Sequence, residues 1–164
     1  MIRDRMTRLR QTSEQGSAII EFVFVAVLVM VPLIYAIAAV AAVERSLLAV
    51  RDAARDAGRA FAATDAAATT ELTVQRALAR VAAAVRISLA NQGLPDDADV
   101  RFVAAEARCD APPITPMLTP GAEFAICVRR RMDVPGVPSI LSGPSIMTVG
   151  RYVLHVDDYR SLPE

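Results

Sequence analysis

From Phe22 to Val43 the chain runs for twenty-two residues without a charged side chain, FVFVAVLVMVPLIYAIAAVAAV. As an α-helix rising ~1.5 Å per residue the stretch is ~33 Å long, enough to cross the ~30 Å hydrocarbon core of a bilayer. A helix in the core of a soluble domain is normally shorter or interrupted by polar positions, so the run predicts a membrane-spanning segment. Pro32 lies inside it. Proline removes the N–H that would bond the carbonyl four residues back, and a membrane helix tolerates this where neighbouring groups take up the freed carbonyl, so a kink is expected at Pro32. Alanines at 26, 36, 38, 39, 41 and 42 leave little bulk and would let another helix approach closely. In so alanine-rich a chain they are also explained by composition alone.

The charges flanking the run bear on its orientation. Arg3, Arg5, Arg8 and Arg10 precede it, and Arg45, Arg51, Arg55 and Arg59 follow within sixteen residues. Arginines alone give a tie, four against four, under the rule that positive loops stay inside. The upstream four stand on a short polar arm, whereas the downstream four are interleaved with Glu44, Asp52 and Asp56. That contrast favours a cytoplasmic N-terminus. A secretory signal peptide competes with a retained span, because Ala39-Val40-Ala41 offers a small-residue cleavage box. Against it, a signal's apolar region covers only ~7 to 15 residues, and a plain signal has no use for a carboxylate such as Glu21 at its mouth.

The boundary itself reads Gly16, then Ser17-Ala18-Ile19-Ile20-Glu21-Phe22, then the apolar run. This resembles the class III, type IV pilin-like leader, in which a membrane peptidase cuts after the glycine and Glu-Phe follows at mature positions five and six. More narrowly it resembles the TadE-like minor pseudopilins of tight-adherence (Flp) pili. The shared features are the Gly-x-x-x-x-Glu-Phe boundary, one spanning helix and a small extracytoplasmic C-terminal part. The motif covers Gly16 to Phe22, and the rest of the chain matches by layout alone.

The resemblance implies a processing site between Gly16 and Ser17, with Glu21 and Phe22 as subunit-docking residues. Its implied partners are a prepilin-type peptidase, the inner-membrane platform of the pilus, the major pilin and other pseudopilins, and membrane lipid. The residues fit these roles physically. Glycine has no Cβ, so an extended backbone could enter a protease cleft closely. Cleavage would free the amine of Ser17, whose ordinary pKa of ~7.7 to 8.0 leaves it largely protonated at neutral pH. A new cation would then stand one helical turn from Glu21. A charged side chain at the centre of a membrane helix costs ~2.5 to 3.5 kcal/mol on insertion scales, and less near the edge, where Glu21 lies. Pairing with an amine recovers part of that cost. Snorkelling to the headgroups is the alternative.

Three segments follow from this reading: a cytoplasmic basic leader at 1–16, a transmembrane helix at 17–43 and an extracytoplasmic domain at 44–164. Glu44 to Phe61 holds no proline and sets Asp52 three residues before Arg55 and Asp56 three before Arg59, a spacing that adds a few tenths of a kcal/mol per pair on a helix. The spanning helix is therefore expected to continue outward as a charged spine. Gly58 and the polar cluster Thr64 to Thr70 weaken the pattern and predict a break. Val74, Leu78, Val81, Val85 and Leu89 then recur every three or four residues, an amphipathic helix with a stop at Asn91-Gln92-Gly93 and Pro95 behind it. In the last third, Val100–Val103, Glu123–Arg129 and Met147–Val156 are short β-branched stretches parted by APPITPMLTPG and VPGVPSILSGP. The expected fold is α+β: the long helix, a second amphipathic helix and a small antiparallel sheet of about three strands, in an order the sequence does not give.

Cys109 and Cys127 stand near the ends of the first two predicted strands. In an oxidising compartment they would close a loop over the proline-rich turn, worth ~3 kcal/mol in the chain-entropy model; otherwise they are buried thiols. Two cysteines and the single His155 fall short of the four ligands of a structural zinc site, and no metal or cofactor is expected. Eighteen basic residues, all arginine, balance eighteen acidic ones, so no broad positive field exists to hold nucleic acid. The absence of lysine removes the phosphate-loop and Schiff-base chemistries. His155 with Asp157 and Asp158 could suggest a base and its orienting acid, but no serine occupies a Gly-x-Ser-x-Gly elbow. The chain is therefore expected to be a non-enzymatic structural component.

Overall fold

The computed structural model describes residues 2–64, 71–117, 119–133 and 145–158, with side chains from 19 onward except 71–73. Two helices precede three strands: α1 (Ile2–Ala62), α2 (Glu71–Asn91), β1 (Asp99–Ala104), β2 (Glu123–Met132) and β3 (Ile146–His155). The expected α+β architecture is the one observed. Met1–Val40 and Ala41–Glu164 form two compact units, with α1 contributing residues to both.

In the first unit every described side chain is exposed except the half-buried Ala26 and Ala39. Phe22 is 73% exposed, and helical assignment continues unbroken through Pro32. A helix apolar on all sides and uncovered along its length is incompatible with bulk water, so lipid or other helices must cover it. Among the described residues this is the one helix long and apolar enough to cross a membrane. None of its most apolar window is buried, which separates it from the core helix of a soluble protein. The basic arm is also helical, from Ile2 through Gly16 and Ser17.

The second unit is a helix pair and a meander sheet. The strands lie in the order β1-β2-β3, antiparallel throughout, with Val128 opposite both Val100 and Gly150. One sheet face carries Phe102, Phe124, Ile126, Val128 and Leu154, which pack with Ala49, Val50, Ala53, Ala54, Ala57 and Phe61 of α1. Val81, Val85 and Leu89 of α2 complete this core. Three phenylalanines lock the end of α1 to the sheet: Phe61 lies 5.4 Å from both Phe102 and Phe124, ring centre to ring centre, and Phe124 is nearly perpendicular to it at 84°. The expected Asp52–Arg55 and Asp56–Arg59 pairs form at 3.7 and 3.6 Å, and Asp56 also accepts a hydrogen bond from Ser88 of α2 at 2.7 Å.

Helix α2 ends where the sequence predicted. Gly93 has φ +67°, its N–H bonds the Ala90 carbonyl at 2.9 Å, and Leu94 N–H bonds the Leu89 carbonyl at 3.0 Å. These are the paired bonds of a Schellman cap, with Leu94 packed on the core beside it. The predicted apolar stripe needs one correction: Leu78 is 38% exposed, and Ala77 takes the buried position instead. Ala77 stands four residues before Val81 and eight before Val85, on the same helix face as both.

Gly58 also departs from the expectation that it weakens α1. The helix runs four residues beyond it, and a Cβ there would fall 2.5 Å from the Tyr152 ring. Its role is to seat that ring. The polar break expected at Thr64–Thr70 lies largely outside the described residues, as does the proline-rich turn at 134–144.

Candidate functional site

At the N-terminal boundary, Glu21 and Phe22 are exposed on the first turns of the apolar helix. Among the described residues Glu21 has no ion-pair partner. Gly16 and Ser17 continue the same helix on its N-terminal side. Glycine has the weakest helix propensity of any residue between Ile2 and Ser17, so this is the easiest point at which to unwind the backbone.

The other end of the run leads into a buried polar cluster. Ser46, three residues past Val43, is fully buried and shares a hydrogen bond of 2.9 Å with Thr148 of β3. The Thr148 hydroxyl donates to the Arg130 carbonyl at 3.2 Å, and Arg130 Nη1 donates to Ser46 Oγ at 3.4 Å. The Arg130 side chain is only 9% exposed and its Nε donates to Asp97 Oδ1 at 2.6 Å. A buried guanidinium is tolerable because the carboxylate and hydroxyl satisfy its donors. Arg129, Arg130 and Arg131 alternate across the two strand faces, and the middle one is buried.

Beside this cluster is a cavity of about 310 Å³ whose wall includes Ala42, Arg45, Arg130, Arg131 and Asp133. Sequence reasoning did not single it out. Its residues come from α1, from the segment between α2 and β1, from β2 and from the residue after β2, and only the folded domain brings them together.

On the opposite sheet face Cys109 and Cys127 are joined as a disulfide, with Cα atoms 5.6 Å apart. Cys127 lies in the middle of β2, not near its end, and Cys109 lies five residues past β1. The bond holds the loop after β1 over Val103, Ala125 and Cys127, with Ala107 and Ala111 packed alongside. The same loop sends Ile114 N–H to the Phe102 carbonyl at 2.8 Å, covering part of the outer edge of β1. Neither cysteine is a free nucleophile, since their sulfurs are bonded to each other.

His155 ends β3 in the open, with Nδ1 at 2.9 Å from Glu123 Oε1 and Nε2 at 3.8 Å from Asp158 Oδ2. The cross-strand neighbour Glu123 is thus a hydrogen-bonded carboxylate of this ring. Among the described residues, no group of three or more His, Cys, Asp and Glu side chains converges as a metal site would require.

One signal in the sequence did point to the tightest contact of the domain. Glycine inside a strand marks a close backbone approach, and Gly150 is such a residue. A Cβ there would lie 1.9 Å from the Val50 carbonyl oxygen of α1. Comparison of the chain with protein-family models, with curated proteins and with solved structures finds no match.

Proposed function

We propose that this chain is a minor pseudopilin-like, non-enzymatic component of a tight-adherence pilus. It is made as a membrane precursor and processed between Gly16 and Ser17. The observation that carries this reading is the placing of Gly16 and Glu21-Phe22 at the junction between a basic arm and an apolar run of membrane-crossing length. Among the described residues Glu21 has no ion-pair partner, which suits a group whose partner is the new amine of a neighbouring subunit. The disulfide supports a C-terminal domain on the oxidising side of the membrane, with the arginine arm in the cytoplasm. The partners of such a component are the prepilin-type peptidase, the inner-membrane platform, the major pilin and other pseudopilins.

The test is the N-terminal residue of the mature protein, isolated from cells that contain the peptidase. Ser17 is expected. Ala42 would replace the proposal with a domain released by a signal peptidase after Ala41, and an intact arm would replace it with an uncleaved anchored domain. Gly16→Leu is expected to abolish processing. Glu21→Gln is expected to leave processing intact and reduce filament yield, since the amide cannot pair with an ammonium.

A further inference from the structure

The two edges of the sheet are built differently. β1 is six residues long, and the loop that the disulfide ties down sends Ile114 N–H to its Phe102 carbonyl. β3 is ten residues long, and among the described residues no strand lies on its far side. Its register with β2 is unbroken from Ile146 to His155, with no bulge to twist the edge away. The strand contains neither proline nor lysine. Its one arginine, Arg151, reaches back over the sheet to the Ala105 carbonyl, and His155 is drawn to Glu123 of β2. Edge strands normally carry such devices to repel another chain, and β3 instead exposes Ile146, Met147, Val149 and Val153.

The ladder fixes which peptide groups face outward. Val156 N–H donates to the Ala122 carbonyl at 2.9 Å, so this residue turns toward β2. Inward and outward residues alternate along an antiparallel strand. Leu154, Tyr152, Gly150 and Thr148 therefore also face β2, and Val153, Arg151, Val149 and Met147 turn N–H and C=O away from it. The same alternation, carried through β2 to β1, leaves the Phe102 carbonyl facing outward, which is where Ile114 bonds. Among the described residues no backbone bond from another segment reaches the outward residues of β3. We infer that this edge takes one further strand, antiparallel to β3, from an extended segment of a different protein with apolar side chains opposite Val149 and Val153. Only a peptide backbone supplies acceptors and donors at the spacing of this edge. A second copy of this chain does not fit. Within the domain α1 runs alongside β3 in the same direction, Ser46 meeting Thr148, Val50 meeting Gly150 and Gly58 meeting Tyr152. Two β3 strands paired antiparallel would reverse α1 between the copies and bring their Ala41 ends out at opposite sides, where one bilayer cannot hold both. The inference uses the membrane-spanning part of the proposed function only here, and neither cleavage nor the pilus.

The test is hydrogen exchange of the full-length chain in detergent micelles, read amide by amide by NMR. The probe is a synthetic peptide of alternating valine and threonine, capped by lysines for solubility. In the free chain the amides of Thr148, Gly150, Tyr152 and Leu154 are expected to be protected, and those of Val149, Arg151 and Val153 to exchange freely. Peptide at about ten times its Kd should slow the outward amides about tenfold. The same peptide N-methylated on the amides that face β3 should not. Val149→Pro leaves the bonds to β2 in place, since the N–H it removes points outward, and should abolish the slowing while Gly150 and Tyr152 stay protected. A peptide that fails to slow the outward amides at millimolar concentration overturns the inference, as does equal slowing by the methylated peptide or in the folded Val149→Pro chain. Outward amides already protected in the free chain overturn it too. Protection that fades on dilution would assign the edge to a second copy, and protection that persists would assign it to a segment of this chain. None of these outcomes bears on the mature N-terminal residue, which tests the proposed function separately.

Discussion

Replacing Gly150 by alanine tests how the sheet is held to the first helix. The added methyl carbon would sit 1.9 Å from the Val50 carbonyl oxygen, 2.2 Å from its carbonyl carbon and 2.6 Å from Arg51 N. All three are backbone atoms of a hydrogen-bonded helix and cannot swing aside. Ordinary contact begins near 3.4 Å, so β3 would have to withdraw from α1 by roughly 1.5 Å. That movement would also stretch the 2.9 Å Ser46–Thr148 bond beyond hydrogen-bonding distance. Overpacking costs ~1 to 3 kcal/mol and a lost buried hydrogen bond ~1 kcal/mol, so the expected loss is about 3 kcal/mol. This is large against the ~5 to 15 kcal/mol that holds a domain folded. The assay is urea unfolding of the full-length chain in detergent micelles, read from hydrogen exchange of the β3 amides. Two other glycines calibrate it. Gly93→Ala meets no atom within 4 Å and pays only for its φ of +67°, about 1 kcal/mol. Gly58→Ala strikes a ring rather than backbone, while gaining ~1 kcal/mol of helix propensity. If Gly150→Ala costs no more than Gly93→Ala, the close approach of strand and helix does not exist as described.

Reducing the disulfide, or replacing it by Cys109→Ser with Cys127→Ala, should lower the stability of the domain by ~3 kcal/mol. Exchange protection should fall first in the loop after β1, which the bond holds against Val103 and Ala125; unchanged protection there would show that the bond constrains nothing. Asp97→Ala should destabilise by about 2 kcal/mol, below the ~3 to 5 typical of a broken buried pair, because Asp97 is partly open to water. Arg130→Met should cost less than Asp97→Ala in the same urea titration, since it removes the buried charge instead of orphaning it.

The features legible in the sequence were those set by neighbours along the chain. The end of α2 follows from the Asn-Gln-Gly signal, because a Schellman cap is built from adjacent residues. The three strands follow from β-branched stretches, but their order does not, since pairing joins residues distant in sequence. Arg130 shows the limit. Its burial depends on Asp97, thirty-three residues earlier, and on Ser46 of α1. Leu78 lost its predicted core place to Ala77, because a spacing of three or four residues fits either of two adjacent positions and only the packed domain selects between them. Gly16, Ser17, Glu21 and Phe22 were legible as a pattern at a boundary. The cavity at Arg45 and Arg131 was not, because its wall is assembled from segments about eighty-six residues apart.

The bond between Ser46 and Thr148 spans 102 residues of chain. At ribosomal speeds of ~5 to 20 residues per second, about 5 to 20 s separate the arrival of the first hydroxyl from that of the second. Throughout that interval the alanine-lined face of the helix has no final strand to rest on, and stays open to proteases and to strangers. A messenger truncated ahead of β3 would yield an anchored stub that never closes, so quality control can judge this protein by whether its last strand has come home.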